Sequence, residues 1–129
     1  MTSMNADLSG KTILVVEDNE VSASYFKAAL RKQGALSIMA RNGEEAIQLF
    51  RENKQIDLVL MDLNMPEMNG FEATKMIKSI RPEVPVIAQS AYILSGEDSR
   101  SKEAGCDEFL AKPIRLTALV EVLERYLAK

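Results

Sequence analysis

The segment Ile56-Asp57-Leu58-Val59-Leu60-Met61-Asp62 is a short apolar run that ends in a carboxylate, and Asn64 and Pro66 interrupt the chain just after it. An apolar run between turn signals predicts a strand buried on both faces, as in a parallel sheet. A charge at the carboxyl end of such a strand lies where open α/β sheets place their functional sites. Asp62 is therefore the first candidate for a functional residue.

Strand and helix signals alternate along the rest of the chain. Apolar or β-branched runs occupy residues 12–16, 35–40, 56–62, 84–88 and 108–110, and a helix signal follows each of them. Four helix signals carry an apolar stripe, whereas Ser95 to Ala104 has a start and a stop signal and almost no apolar residue, which predicts a weakly anchored helix. The alternation predicts an α/β fold with a doubly wound, five-stranded parallel sheet.

Composition sets bounds on the function. The chain has 129 residues, 47% of them hydrophobic and 27% charged, which suits a single globular domain. Its net charge of -3 argues against direct binding of nucleic acid, and the absence of histidine removes the commonest general base and zinc ligand. The single cysteine, Cys106, predicts no disulfide and is interpreted as a packed residue.

Domain boundaries and location follow from the same pattern. Residues 1–10 are polar and aperiodic, so we expect a flexible lead-in or linker remnant there and one domain over residues 11–129. There is no leader pattern and no apolar run long enough to span a bilayer, which predicts a cytoplasmic protein without membrane insertion.

Five polar side chains converge at one edge of the predicted sheet. Glu17 and Asp18 follow the first strand, Asp62 the third, Ser90 the fourth and Lys112 the fifth. Carboxylates held close together repel one another unless a cation binds, and their hard oxygen ligands suit Mg²⁺. A lysine and a hydroxyl nearby can contact phosphate-like oxygens, so the set indicates phosphoryl transfer to an aspartate.

Four motifs carry a resemblance to a known family. Val15-Val16-Glu17-Asp18-Asn19, Met61 to Gly70, Ile87-Ala88-Gln89-Ser90-Ala91 and Phe109-Leu110-Ala111-Lys112-Pro113 resemble those of the response regulator receiver domain of two-component signalling. The resemblance covers about residues 11 to 128. It implies a flavodoxin-like (βα)5 fold with strand order 2-1-3-4-5 and a cis Lys112-Pro113 bond.

For the site, the resemblance implies that Asp62 accepts a phosphoryl group from a phosphohistidine. Mg²⁺, or Mn²⁺, would be held by Asp18, Asp62 and the backbone carbonyl of Asn64, and by Glu17 through water.

Lys112 would contact the phosphoryl group, Ser90 would move toward it, and the rotamer of Phe109 would follow, although Phe109 lacks the hydroxyl of the tyrosine often found there. The signal would be passed on by the face between the predicted fourth and fifth helices, in a monomer or weak dimer that slowly dephosphorylates itself. Because the chain contains no histidine, the phosphoryl group must come from a histidine kinase, a histidine phosphotransfer domain or a small phosphodonor.

Receivers of hybrid sensor kinases are the more similar subgroup. Leu8 to Leu14 looks like the junction that follows a kinase domain, and Ala88 to Tyr92 and Ala104 to Phe109 are similar to the fourth and fifth repeats of those receivers. The chain would then be the cytoplasmic part of a membrane-bound sensor kinase. A stand-alone receiver is the other interpretation.

Three further functions are compatible with parts of the pattern. A Mg²⁺-dependent phosphatase of the haloacid dehalogenase type also forms an aspartyl phosphate, but it usually has a second aspartate where this chain has Asn64. A flavodoxin-like nucleotide binder would need a phosphate-binding loop after the first strand, and none is present. A receiver fold that only binds partners would not need the complete set of acids.

Overall fold

The computed structural model describes residues 8–63, 70–90 and 104–127 of the chain. Its sheet has five parallel strands in the order β2-β1-β3-β4-β5, which confirms the predicted fold class and strand order. The strands are β1 (Thr12–Val16), β2 (Leu36–Ala40), β3 (Leu58–Asp62), β4 (Val86–Ser90) and β5 (Glu108–Ala111). The helices are α1 (Glu20–Lys32), α2 (Gly43–Glu52), α3 (Gly70–Ile80) and the C-terminal helix (Leu116–Leu127).

Helices cover both faces of the sheet and create two hydrophobic clusters. Residues of α1 and the C-terminal helix, such as Phe26 and Leu123, pack on one face with Leu60 of β3. On the other face, Phe50 of α2 and Ile77 of α3 pack with neighbouring strand residues. Because successive side chains of a strand point to opposite faces of the sheet, each side chain faces one of these two clusters.

In the sequence, Asn19 is a favourable N-cap and Gly34 a helix stop, and helix α1 begins after the first and ends before the second. The Asn19 side chain accepts a hydrogen bond from the Ser22 backbone N–H, and Gly34, with φ of 89°, follows the C-terminal cap. Its predicted apolar stripe is only partly buried, because Val21 and Tyr25 are exposed. These two residues lie toward the start of the helix, beside a groove described below, rather than in the core.

The prediction for β4 is displaced by two residues. The sequence favours a strand at residues 84–88, whereas β4 spans Val86–Ser90. Pro85 has no N–H to donate to the ladder, and only its carbonyl joins the sheet, by accepting from Val59 N at 2.9 Å. The shift places Gln89 and Ser90 within the strand instead of the loop after it.

Part of the segment predicted as a lead-in packs on the domain. Leu8 is fully buried with the α1 face cluster, and its backbone N–H donates to Gln33 O at 2.8 Å. Lys11 N donates back to Leu8 O at 3.0 Å, which closes a turn before β1. The boundary between lead-in and domain stays a prediction.

Cys106 is a packed residue, as its isolation in the sequence predicts. Its thiol is half-buried and donates to Thr74 Oγ1 at 3.8 Å, and burial raises the pKa of the thiol to about 11. A thiol in this state is a poor nucleophile at neutral pH.

Two predictions fall largely outside the described residues. They are the weakly anchored helix at residues 95–104, of which only Ala104 is described, and the interpretation of Met65 and Met68 as packing residues and of Tyr92 as either a surface residue or part of the signalling face. None of the helices in the described ranges is long and apolar enough to cross a membrane.

Candidate functional site

Asp62 is the last residue of β3, and its carboxylate is almost completely buried, with 1% of the residue exposed. Lys112, just after β5, places its ammonium Nζ 3.2 Å from Asp62 Oδ1. A carboxylate oxygen can act as a nucleophile without a separate base, and the ammonium lies where it can neutralise negative charge beside it.

An acidic cluster surrounds Asp62. Carboxylate oxygens of Glu17, Asp18 and Asp62 all lie within 4.8 Å of one another, as the sequence predicts for the sheet edge. Glu17 is buried and Asp18 is exposed, so the cluster opens to solvent on one side. Within the described part of the chain, Glu17 Oε1 is a buried oxygen without a hydrogen-bond partner.

The donor set of this cluster fits a hard divalent cation. Burial, reinforced by the negative charge of Asp62, raises the pKa of Glu17 to about 7, while Lys112 acts in the opposite direction. An unsatisfied buried oxygen and a carboxylate with a raised pKa are the features that a bound Mg²⁺ would relieve. Asn64, whose carbonyl completes the predicted ligand set, lies outside the described residues.

Lys112 is fixed to the sheet through its backbone. Its N–H donates to Ser90 O at 2.8 Å, and the Lys112-Pro113 peptide bond is cis, as the resemblance implies. The ammonium also lies 3.9 Å from Glu17 Oε1, so a single cation faces two acids.

Ser90 and Phe109 lie on the neighbouring strands β4 and β5. Ser90 ends β4 and is fully buried, and Phe109 is a half-buried residue of β5 that packs against the cluster under α2 and α3. Phe109 pairs in register with Ala88, and Ser90 comes two residues after Ala88 on the same strand. The side chains of Phe109 and Ser90 therefore lie on the same face of the sheet. Their movement toward a phosphoryl group stays a prediction.

Gly70, at the start of α3, ends the Met61 to Gly70 motif, but the sequence alone assigns it no role in the site. A Cβ atom there would lie 2.7 Å from Asp62 O and 2.9 Å from Leu63 Cα, closer than real contacts allow. The glycine thus lets α3 approach the backbone that carries Asp62. Its position eight residues after Asp62 was a signal only in combination with the fold.

A groove of about 550 Å³ opens beside Lys112. It is lined mainly by α1 and by the segment after β5, with an apolar wall that includes Val21 and Tyr25 and with Gln89 and Lys112 among its polar residues. The Tyr25 hydroxyl donates to Ile114 O at 3.1 Å and joins the two walls. Neither Tyr25 nor Gln89 was a predicted site residue, because Tyr25 belongs to the apolar stripe of α1 and Gln89 was expected in the loop after the fourth strand.

These residues form one arrangement suited to phosphoryl transfer. A buried carboxylate provides a nucleophile, an ammonium faces it, and an acid cluster beside it can hold a divalent cation. Charge placed in advance around a transferring phosphoryl group is the main source of catalysis in such sites.

Comparisons with known proteins agree with this arrangement. The family model for the response regulator receiver domain matches residues 13–124. Over 120 residues the chain is 38% identical to the polar-differentiation response regulator DivK of Brucella anthropi, covering 91% of this chain and 96% of that protein.

Two solved structures are similar throughout the fold. The receiver domain of the sensor histidine kinase PA1611 from Pseudomonas aeruginosa, solved with a magnesium ion coordinated in its active-site cleft, has a TM-score of 0.86 and 32% identity, covering 94% of this chain and 100% of that one. The co-crystal structure of the Saccharomyces cerevisiae histidine phosphotransfer protein Ypd1 with the receiver domain of Ssk1 gives a TM-score of 0.85 and 26% identity, covering 93% and 90%. The chain therefore belongs to the response regulator receiver domain family, the phosphoacceptor modules of two-component signalling.

Proposed function

We propose that Asp62 accepts a phosphoryl group from a phosphohistidine of a partner protein, in a reaction that depends on Mg²⁺. The observation that carries this proposal is the pairing of the buried Asp62 carboxylate with the Lys112 ammonium at 3.2 Å, beside the carboxylates of Glu17 and Asp18. The structure of the similar PA1611 receiver, which holds magnesium in its cleft, supports the choice of metal.

Each residue has a distinct task in this reaction. Asp62 attacks phosphorus through a carboxylate oxygen, and the bond between phosphorus and the donor nitrogen breaks. Glu17 and Asp18 would hold Mg²⁺ together with Asp62, and the metal would screen the repulsion between these acids and the incoming phosphoryl oxygens. Lys112 neutralises charge on a phosphoryl oxygen, and Ser90 offers its hydroxyl to another.

Partner proteins would recognise the phosphorylated state at a surface some distance from Asp62. Movement of Ser90 toward the phosphoryl group leaves space on the face where Phe109 packs, so the two residues shift together. A small displacement of this kind biases a surface between two arrangements that partners distinguish.

The donor must lie outside this chain, which contains no histidine. A histidine phosphotransfer protein or a histidine kinase fits, and the Ypd1 and Ssk1 co-crystal supports the first of these. Similarity to the PA1611 receiver favours an origin in a sensor kinase, and similarity to DivK favours a stand-alone regulator. A cytoplasmic location and a monomer or weak dimer belong to the same proposal, and the flanking coding sequence decides between the two origins.

Phosphotransfer profiling tests the donor. Candidate histidine kinases and histidine phosphotransfer proteins, phosphorylated on histidine with labelled phosphate, are mixed with this chain and Mg²⁺. We expect one cognate donor to transfer its label within seconds to wild type and not to Asp62→Asn. Label transfer to both proteins alike, or turnover of simple phosphate esters by the chain, would contradict the proposal, and the second result would favour a phosphatase.

A further inference from the structure

Gln89 carries a buried amide that the proposed reaction does not use. The residue is 2% exposed, and neither its Oε1 nor its Nε2 has a hydrogen-bond partner among the residues that the structure describes. Leaving a buried amide unpaired is unfavourable, so an atom of this kind is usually satisfied in some state of the protein. The question is which group could satisfy it.

The strand order places Gln89 between Asp62 and the strand that leads to Lys112. Asp62 of β3 pairs in register with Gln89 of β4, and Gln89 pairs with Leu110 of β5. Because β4 lies between β3 and β5, Lys112 must cross β4, a distance of about 10 Å between the outer strands, to reach Asp62.

All of the residues involved point to one face of the sheet. Asp62 comes two residues after Leu60, and Gln89 comes two after Ile87, and both Leu60 and Ile87 belong to the cluster under α1 and the C-terminal helix. Gln89 lines the groove on this face together with Lys112. The amide and the lysine side chain therefore border the same groove.

The ammonium of Lys112 has more N–H donors than hydrogen-bond acceptors among the described residues. It carries several N–H donors, yet Asp62 Oδ1 is its one hydrogen-bond acceptor within the described ranges, since Glu17 Oε1 is 3.9 Å away. Once Asp62 carries the phosphoryl group as an acyl phosphate, its carboxyl group no longer carries the negative charge, and the ammonium must turn toward a phosphoryl oxygen. A flexible lysine stem holds such a position better with a second acceptor.

We propose that Gln89 is a positioning residue for Lys112, whose ammonium donates a hydrogen bond to Gln89 Oε1 while it contacts the phosphoryl group being transferred. This inference rests on the proposed phosphorylation of Asp62 and adds a residue to it. Gln89 does not touch the reacting atoms and acts only through the lysine. Gln89 Oε1, which has no hydrogen-bond partner among the described residues, then accepts from the ammonium once it has moved.

The test replaces Gln89 by methionine, which keeps the length of the side chain and removes the amide. With acetyl phosphate and Mg²⁺, the maximal rate of Asp62 phosphorylation is expected to fall roughly tenfold, with little change in the half-saturating acetyl phosphate concentration. Thermal unfolding should show Gln89→Met to be at least as stable as wild type, because an unpaired amide has been removed.

A double-mutant cycle separates this role from a structural one. In a Lys112→Met background, Gln89→Met should cause no further loss of rate, since the residue acts through the lysine. Gln33→Met is the matched control, because Gln33 is also a buried glutamine but lies at the C-terminal end of α1. This variant should keep the wild-type rate.

The outcomes distinguish the two proposals. If wild type is labelled and Gln89→Met reacts at the same rate, or loses as much rate again in the Lys112→Met background, the role of Gln89 is refuted while phosphorylation stands. If wild type is not labelled at all, the proposed function itself fails, and the inference fails with it.

Discussion

Glu17 is the residue whose ionisation is most affected by the assembly of the site. Its carboxylate is buried, one oxygen has no hydrogen-bond partner among described residues, and Asp62 repels its charge. The pKa of Glu17 is raised from 4.5 to about 7, so without metal the folded protein retains a proton that the unfolded chain has already lost. Ionising Glu17 in the folded state therefore costs stability.

The free energy of unfolding of the metal-free protein is expected to fall as pH rises from about 4.5 to about 7. The folded state binds more protons in this window, which gives a slope of roughly 1 kcal/mol per pH unit for one such group. Urea titrations in a chelator measure this slope, and Glu17→Gln should reduce it. An identical pH profile in wild type and Glu17→Gln would show that Glu17 ionises normally.

Helix α3 positions the acceptor through its first residue. Gly70 allows the helix to approach Asp62 O and Leu63 more closely than any other residue would. Gly70→Ala is expected to displace the end of β3, with a loss of about 1–3 kcal/mol in unfolding free energy and slower phosphorylation of Asp62. Urea denaturation and labelling with acetyl phosphate measure the two effects.

Lys75→Ala is the control for this prediction, because Lys75 is an exposed residue of the same helix. It should leave both measurements close to wild type. If Gly70→Ala behaved in the same way, the close approach would have no importance for the site.

The elements with strong local patterns were predictable from sequence. The C-terminal helix spans Leu116–Leu127, as its apolar spacing predicts, and Asn19 caps α1 as expected. The bounds of β4 were not predictable from the sequence. Pro85 interrupts the apolar pattern, yet its carbonyl still accepts a hydrogen bond from the neighbouring strand. Exposure of Val21 and Tyr25 was also missed, since spacing identifies a helix face but not where the sheet beneath it ends.

At the scale of the whole molecule, parallel strands explain why distant residues could be grouped in advance. Strand ends share one edge, so Glu17, Asp18, Asp62 and Lys112 were predicted to meet, and they do. The burial of Gln89 and the contact of Gly70 depend on how strands and helices pack in three dimensions. No spacing along the chain contains that information.

Leu8 tests whether the opposite end of the sheet is independent of the site. It is fully buried before the start of β1, whereas the acceptor lies at the carboxyl ends of the strands. Leu8→Ala is expected to reduce the unfolding free energy by about 2–5 kcal/mol and to leave the phosphorylation rate of the folded protein unchanged.

Leu36→Ala is the matched control, because Leu36 is 67% exposed on the edge strand β2 and should change stability little. A slower phosphorylation rate in folded Leu8→Ala would mean that packing at this end of the sheet does influence the acceptor.

The central claim is that Asp62 is the residue that carries the phosphoryl group. Intact-mass spectrometry after incubation with acetyl phosphate and Mg²⁺ tests it most directly, with peptide mapping of the modified protein. The account predicts one added phosphoryl group on Asp62 in wild type, none in Asp62→Asn, and none in wild type when a chelator removes the metal. Equal modification of wild type and Asp62→Asn, or a phosphoryl group mapped to another residue, would contradict it.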